Sequence, residues 1–376
     1  MKNLVKKSKI LYFLYYYTMS LFVNILKLFV RTDNKLILFV SYGGRHYSDS
    51  PRVIYEAMLK DERYKGYKLV WGFVNPNDYP EVENKIKIDT LKYYKTALRA
   101  RCWVTNVMIE RALNFKGKHT YYFFTTHGVL LKCDGPDLKQ YKFSSRAKMK
   151  YDCCLAQSEY EKMICQRMFQ IKADIVKILG YPKDDILVHH TEERRNEIRK
   201  KLGIPEGKKA VLYAPTYREE KSLRESFNMD VEKWRKYLSK DYVLLYRAHP
   251  IVSTTEKVND DFFIDCTKYE MVEDLMIATD MLISDYSGII FDFCIMHKPI
   301  YLWTYDYEEY NEYRGLYFDI RKELKSSGDE TELLKMVANH DWSEEPKEVY
   351  AFQEKYETVY GNGTINSLND IYENIQ

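Results

Sequence analysis

The sequence predicts an α/β protein built from two Rossmann-like domains that face each other across a cleft. From residue 36 onward, short apolar runs alternate with segments of helical periodicity, which is typical of parallel strands covered by helices on both faces. This series is completed once and starts again after residue 185. The chain has 376 residues, enough for about two domains of roughly 100–200 residues each.

The predicted elements divide the chain into a helix at 1–31, an N-terminal domain at 32–185 and a C-terminal domain at 186–376 that ends in helices. In the N-terminal domain we expect strands at 36–42, 68–74, 102–105, 121–126, 151–157 and 175–180, and helices at 51–60, 91–100 and 159–169. In the C-terminal domain we expect strands at 210–215, 242–247, 262–265, 281–284 and 299–303, and helices at 192–202, 231–238, 271–279, 289–296 and 330–337.

The first 31 residues combine a basic stripe with a broad apolar surface. They carry six cations and no acid, so their charge is +6, whereas the whole chain carries +3. At 3.6 residues per turn, positions 2, 6, 9, 13, 16, 20, 24, 27 and 31 form one mostly polar line. This pattern favours an amphipathic helix lying on an anionic membrane surface. A transmembrane anchor and a helix packed on its own domain stay open, whereas a signal peptide would need a small-residue cleavage site that is missing.

Composition and missing motifs exclude several classes of protein. The seven cysteines are scattered without C-x-x-C spacing, which indicates reduced thiols in a cytosolic protein. Cations concentrate at the N-terminus, so we expect no nucleic-acid partner. The sequence has no glycine-rich dinucleotide fingerprint, no Walker loop, no Asp-x-Asp pair and no His-Glu-x-x-His, and we therefore expect neither cofactor nor metal.

Polar clusters follow three strands of the C-terminal half. Ligands of parallel sheets bind beyond the carboxyl ends of the strands, so these clusters are candidate binding loops. They are SDYSG at 284–288, RAHP at 247–250 and YAPTYR at 213–218. Hydroxyls and free amides suit phosphate, and a strand-terminal Arg and His suit a diphosphate. The SDYSG cluster alone is equally compatible with an ordinary helix cap. For each of the other two clusters alone, a loop with a satisfied His or a solvated Arg is the commoner case.

In the N-terminal half, the segment TTHG at 125–128 ends a strand. A neutral histidine there, followed by a glycine that lets a substrate approach closely, is a plausible general base for a hydroxyl, with Lys132 as a nearby cation. The alternative is a structural histidine, which caps a helix or has its hydrogen bonds satisfied in the core. His46 lies in a second candidate loop, at 41–50, without an assignable partner.

Taken together, these segments resemble the CDP-glycerol glycerophosphotransferase family, which comprises teichoic acid primases and polymerases of Gram-positive bacteria. The resemblance runs from about residue 39 to residue 319. Its matching segments are THG at 126–128 with LK at 131–132, LGYPKDD at 179–185, LYAPTYR at 212–218, RAHP at 247–250, LISDYS at 282–287, FDF at 291–293, KPI at 298–300, YD at 305–306 and RG at 314–315. Each segment is weak alone, but their order and their places at strand ends make the set specific.

The resemblance implies a GT-B-like fold, peripheral (monotopic) attachment at the cytoplasmic face of the bacterial cell membrane, and a cytidine nucleotide in the C-terminal domain. It implies that His127 is the acceptor-side base, with Gly128 and Lys132 beside the acceptor. Arg247 and the second catalytic histidine, His249, would hold the donor diphosphate. The nucleotide or phosphate pocket would be lined by Ser284, Asp285 and Ser287, with Thr216 and Arg218 next to it.

The chain departs from the family pattern at four places. Thr126 and Tyr217 stand where the family usually has tryptophan, Gly288 stands where a second serine is usual, and Lys183-Asp184 replaces the commoner Arg-Asn. These changes leave the donor-binding motifs in place but make the identity of the acceptor less secure.

The resemblance implies that the enzyme transfers a polyol phosphate from a CDP-activated donor to a hydroxyl of a membrane-linked teichoic acid or capsule precursor and releases CMP. Glycerol phosphate is the first candidate for the transferred group. The expected partners are CDP-glycerol or CDP-ribitol, a polyprenyl-diphosphate-linked saccharide acceptor and the anionic membrane, while a homo-oligomer stays open. One alternative is a glycosyltransferase of the same architecture that uses a nucleotide sugar. The other is a non-catalytic wall-assembly partner bound at the membrane.

Overall fold

The computed structural model describes residues 9–111, 113–128, 131–138, 150–218, 229–248 and 260–376. Within these ranges the chain forms two parallel β-sheets flanked by helices, which confirms the predicted α/β architecture. Buried apolar side chains from both faces of each sheet build the cores, as expected for strands covered on both sides.

The first sheet has seven parallel strands in the order β3-β2-β1-β4-β5-β6-β7. These strands are β1 Asp33–Val40, β2 Lys68–Phe73, β3 Lys85–Lys87, β4 Ala100–Thr105, β5 Tyr121–Phe124, β6 Cys153–Ala156 and β7 Val176–Ile178. The helices of this half are α1 Lys9–Leu28, α2 Asp49–Met58, α3 Leu91–Arg99, α4 Glu159–Phe169 and α5 Asp185–His189.

The second sheet has six parallel strands in the order β10-β9-β8-β11-β12-β13. These strands are β8 Lys209–Tyr213, β9 Tyr242–Tyr246, β10 Phe263–Asp265, β11 Met281–Ser284, β12 Ile300–Trp303 and β13 Lys325–Ser327. The helices of this half are α6 Glu192–Leu202, α7 Val231–Leu238, α8 Val272–Ala278, α9 Ile289–Cys294, α10 Tyr307–Tyr313, α11 Glu330–Ala338, α12 Lys347–Tyr356 and α13 Gly363–Ile375.

Local sequence signals set several helix ends where they were expected. Ser158 accepts a hydrogen bond from the amide of Glu161 and so caps α4, and Thr191 caps α6 in the same way through the amide of Arg194. Gly203 ends α6 in a left-handed conformation, with φ of 73°. These caps explain why the predicted bounds 159–169 and 192–202 match the observed helices.

The last helix, α13, packs against the first sheet rather than the second, although its residues lie in the stretch 186–376 that we assigned to the C-terminal domain. Tyr64 donates a hydrogen bond to the carbonyl of Leu368 (2.6 Å), and Tyr121 donates to Asp370 (2.5 Å). A Cβ on Gly363 would lie 2.6 Å from the carbonyl carbon of Tyr181, so this crossing requires glycine. The chain therefore returns to its N-terminal half before it ends.

Helix α1 lies against the N-terminal half with its polar side inward. Asn24 donates to the carbonyl of Asn114, Lys27 donates to the carbonyl of Lys116, and Val23 is fully buried. Its opposite face leaves a row of large apolar side chains exposed, among them Leu14, Tyr17, Leu21, Phe22, Ile25 and Leu28. Over the ranges that the structure covers, no helix has both the length and the apolar character needed to cross a bilayer.

Candidate active site

A cleft of about 510 Å³ lies between the two sheets, at the carboxyl ends of their strands. Because parallel strands end at one edge of a sheet, the loops that follow β1, β5, β8, β9 and β11 converge there. The cleft is lined by Tyr42, His127, Gly128, Lys132, Ala214, Pro215, Thr216, Tyr217, Arg247, Ala248, Val272, Ser287, Gly288, Ile289, Asp292, Tyr310 and Arg314. Six residues proposed from the sequence are in this set, from both halves of the chain.

His127 is exposed in the cleft, and the residue before it is held rigidly. Thr126 is buried with a φ of 54°, an uncommon conformation for a threonine. Its hydroxyl lies 2.5 Å from that of Tyr181, which donates to Glu161 at 2.5 Å. Burial raises the pKa of Glu161 to about 7. This chain of hydrogen bonds fixes the backbone from which the imidazole projects.

Tyr42 stands beside His127, with ring centroids 6.2 Å apart. Its hydroxyl donates to Asp49 at 2.7 Å, and the side chain of Asn106 donates to the same carboxylate oxygen at 3.1 Å. Tyr42 and Asp49 both have positive φ, of 44° and 65°. Such strained backbone is common at functional sites. Sequence reasoning singled out His46 in this loop and missed Tyr42, because nothing in the sequence shows which ring faces the cleft.

Arg247 lies on the opposite wall, at the end of β9. Its Nη1 donates to the carbonyl of Tyr269 at 2.5 Å, which anchors the guanidinium at the cleft edge. Burial lowers the pKa of Arg247 below its ordinary value. A partly desolvated guanidinium is well suited to hold phosphate. The second histidine proposed from the sequence, His249, lies outside the described residues.

Thr216 and Ser287 complete the C-terminal wall of the cleft. The amide of Thr216 donates to both carboxylate oxygens of Asp285, at 2.9 and 3.1 Å, so the loop after β8 is tied to the loop after β11. The Thr216 hydroxyl is buried, and no described residue offers it a hydrogen-bond partner. A polar atom in this state is expected to meet a ligand or water.

Three of the proposed residues lie behind the cleft rather than in it. Arg218 forms ion pairs with Asp285 (2.8 Å) and Asp306 (2.7 Å). Ser284 is fully buried and donates to the carbonyl of Ala214 at 2.7 Å. These side chains support the walls that carry Thr216 and Ser287, and none of them is among the lining residues.

Lys132 joins the two halves of the chain at the cleft mouth. It forms an antiparallel bridge with Leu316, and the amide of Cys133 donates to the carbonyl of Gly315 at 3.0 Å. In the same bridge, the amide of Tyr317 donates a hydrogen bond to the carbonyl of Leu131 at 2.9 Å. This pairing places Lys132 and Arg314 on the same rim.

The bottom of the cleft is acidic with one buried cation. Lys183 lies 2.9 Å from Asp184 and 2.7 Å from Asp292. Burial alone would lower the pKa of Lys183, but the charges of Asp184 and Asp292 outweigh it and hold the pKa well above the usual range. Glu273 is buried close by, and burial raises its pKa to about 7. We refer to Asp292, which lines the cleft, together with its partner Lys183 as the cleft floor.

The described side chains contain no cluster of three or more His, Cys, Asp or Glu that could hold a metal ion. All seven cysteines are free, and six of them are buried.

Comparison with known proteins agrees with this geometry. The family model for CDP-Glycerol:Poly(glycerophosphate) glycerophosphotransferase matches residues 22–375. A teichoic acid glycerol-phosphate transferase of Staphylococcus aureus (strain NCTC 8325 / PS 47) is 32% identical over 321 residues, which are 79% of this chain and 82% of that protein.

Two further comparisons concern polymerases. A teichoic acid poly(glycerol phosphate) polymerase of Staphylococcus epidermidis (strain ATCC 35984 / RP62A) is 33% identical over 77% of this chain, which spans only 43% of that longer protein. The solved structure of the wall teichoic acid polymerase TagF superposes with a TM-score of 0.81 at 30% identity, covering 91% of this chain and 89% of that one. The resemblance seen in the sequence is thus confirmed, and the chain belongs to the CDP-glycerol:poly(glycerophosphate) glycerophosphotransferase family.

Proposed function

We propose that this protein transfers glycerol phosphate from CDP-glycerol to a hydroxyl of a membrane-linked teichoic acid or related wall-polymer precursor and releases CMP. The observation that carries this proposal is a cleft with His127 on one wall and Arg247, Thr216 and Ser287 on the other. Family membership supports the reaction class. Glycerol is favoured over ribitol because both relatives described above are named for glycerol phosphate.

The transfer needs one base and a stabilised leaving group. His127 takes the proton of the acceptor hydroxyl as its oxygen attacks the donor phosphorus that carries glycerol. A new phosphorus–oxygen bond forms, and the bond from that phosphorus to the oxygen bridging it to CMP breaks. CMP leaves with the electron pair of that bond. The exposed imidazole on a rigid backbone suits this role, since a base must be held within reach of its proton.

The charge that develops on the leaving CMP requires cations on the donor side. Arg247 provides a guanidinium anchored to the carbonyl of Tyr269. Arg314 adds a second cation at the rim, where Lys132 of the acceptor half also lies. Such preorganised charges stabilise a phosphoryl-transfer transition state. We assign the N-terminal half to the acceptor and the C-terminal half to the CDP donor.

The acceptor we favour is a polyprenyl-diphosphate-linked saccharide or a growing polyol-phosphate chain, met at the cytoplasmic face of the membrane. Helix α1 supports this placement, because its polar side contacts the protein and its apolar side is exposed. An exposed apolar row on an amphipathic helix is typical of a segment that lies in the membrane interface. The protein would then be held peripherally, beside its lipid-linked substrate.

CMP release tests the proposal directly. The full chain in liposomes is supplied with a short lipid-linked acceptor and either CDP-glycerol or CDP-ribitol. We expect acceptor-dependent CMP from CDP-glycerol. Acceptor-dependent CMP from CDP-ribitol alone would correct the polyol, and no CMP from either donor, with turnover of a nucleotide sugar, would replace the proposal with a glycosyltransferase.

A further inference from the structure

The charges of the cleft are separated in space. The cations Lys132, Arg247 and Arg314 lie on its walls and rim. A carboxylate, Asp292, lines the same cavity from helix α9, where it belongs to the cleft floor. A carboxylate repels phosphate, so Asp292 must face a part of the substrate that carries no charge.

Asp292 is buried, at 9% exposed as a residue, and only one of its two carboxylate oxygens has a partner among the described residues. Its Oδ2 lies 2.7 Å from the ammonium of Lys183. Its Oδ1 is buried, and no described residue bonds to it. Buried polar atoms are rarely left unpaired, and Asp292 lines the cleft, so its unpaired oxygen indicates that a ligand group or a water completes its hydrogen bonding.

The ligand group must be a hydrogen-bond donor without negative charge. A carboxylate in an ion pair, as Asp292 is with Lys183, can only accept hydrogen bonds. A donor of the CDP-polyol type offers such hydrogens in three places: the polyol hydroxyls, the ribose hydroxyls and the cytosine amine. The chemistry of Asp292 therefore selects among these groups and rejects the diphosphate.

The position of Asp292 favours the polyol. Asp292 belongs to the C-terminal half, but its partner Lys183 follows the last strand of the N-terminal sheet, so the pair lies at the junction of the two halves. Tyr42, next to His127, is close enough to Lys183 to interact with its charge. The group that is transferred must sit at this junction, between donor and acceptor, whereas the nucleoside belongs on the C-terminal side.

We propose that Asp292 is a specificity-determining residue that accepts a hydrogen bond from a hydroxyl of the polyol carried by the CDP donor, and that Lys183 holds its carboxylate in place. This inference rests on the proposed function for the identity of the donor. It assigns to the cleft floor the recognition of the transferred polyol, while the cations of the walls bind phosphate.

The test compares CDP-glycerol with CDP, which lacks only the glycerol, by calorimetric titration of the full chain in detergent. In the variant Asp292→Asn we expect affinity for CDP-glycerol to fall by roughly tenfold, as for the loss of a hydrogen bond to a charged group. Affinity for CDP should stay the same or increase, because a repulsive charge is removed. Retained CDP binding also shows that the variant is folded.

Asp184→Asn is the matched control, because it removes a carboxylate from the same lysine at a residue that does not line the cleft. We expect it to change neither affinity by more than about twofold, less than the effect of one hydrogen bond. Equal losses for CDP-glycerol and CDP in Asp292→Asn would assign Asp292 to the nucleotide and overturn the inference. Equal effects of the two variants would also overturn the inference. The same holds if the wild-type protein binds CDP-glycerol no more tightly than CDP. Failure of the proposed function is separate, since it is read from CMP release rather than from this affinity ratio.

Discussion

Arg218 Nη1 lies 2.8 Å from Asp285 Oδ2, and both side chains are only 3% exposed. The guanidinium also pairs with Asp306 and lies over the rings of Tyr286 and Tyr310. Asp285 in turn accepts the amide of Thr216, so the ion pair holds a loop of the cleft wall. Two residues that the sequence suggested as donor ligands thus form part of the support beneath the donor site.

We predict that Arg218→Met destabilises the protein strongly. It leaves Asp285 and Asp306 buried without their cation, and breaking a buried ion pair in this way costs about 3–5 kcal/mol. The measurement is the free energy of unfolding in urea. Arg194→Met is the control, because Arg194 is largely exposed in its pair with Asp274 and should contribute about 1 kcal/mol or less. A loss for Arg218→Met no larger than that of the control would show that the network is not structural.

Arg218 also shows what a sequence can and cannot reveal about this molecule. The apolar runs predicted the central strands because those strands are buried on both faces. The edge strands Lys85–Lys87 and Lys325–Ser327 were missed, since these two strands are short and mostly polar and leave no apolar run. Strand-end position placed His127, Arg247, Thr216 and Ser287 in the cleft. The positions of the other side chains of the site depend on tertiary contacts that leave no local pattern in the sequence.

The contact between Lys183 and Asp292 is an example of what the sequence hides. Both residues belong to segments that carry the family resemblance, but their ion pair joins the two halves of the chain and has no local signature. The inward-facing polar side of α1 is a second example of a feature that the sequence does not show. Helical periodicity predicted a polar line, yet only the fold shows that Asn24 and Lys27 of that line contact the protein.

We predict that His127→Ala loses turnover while it retains CDP-glycerol binding. A positioned general base contributes about 10²–10⁴-fold to the rate, and His127 forms part of the cleft surface rather than of its core. The measurements are acceptor-dependent CMP release and calorimetric binding of CDP-glycerol. His119→Ala, at an exposed position outside the cleft, is the control. If His127→Ala keeps more than about a tenth of the wild-type rate, the assignment of the base is wrong.

Stability should fall as the pH rises from about 5 to 8, and Glu161 should account for part of the change. Burial raises the pKa of Glu161 from its ordinary value of 4.5 to about 7 in the folded protein. The folded state therefore holds a proton that the unfolded state releases, so the stabilisation is fully present below pH 4.5 and is lost as the pH rises through about 7.

Glu161→Gln isolates this contribution, because glutamine keeps the shape and an acceptor for Tyr181 but cannot ionise. We expect its urea midpoint to exceed that of the wild type increasingly as the pH is raised from 5 to 8. Glu159→Gln, on the same helix at an exposed position, should leave the pH dependence unchanged. Parallel pH profiles for Glu161→Gln and the wild type would contradict the prediction.

The apolar row of α1 should govern membrane binding. We predict that Leu21→Glu lowers partitioning into vesicles of phosphatidylglycerol and phosphatidylethanolamine by about tenfold or more, since burying a leucine contributes about 1.5–3 kcal/mol and an added carboxylate is repelled by anionic lipid. Leu59→Glu is the matched control, because Leu59 is 61% exposed and Leu21 is 63% exposed, but Leu59 lies outside α1. Vesicle co-sedimentation measures both variants. Because described polar residues of α1 contact the protein, the exposed apolar row is the surface of this helix that we expect to meet lipid. Equal binding by the two variants would therefore assign membrane attachment to another surface.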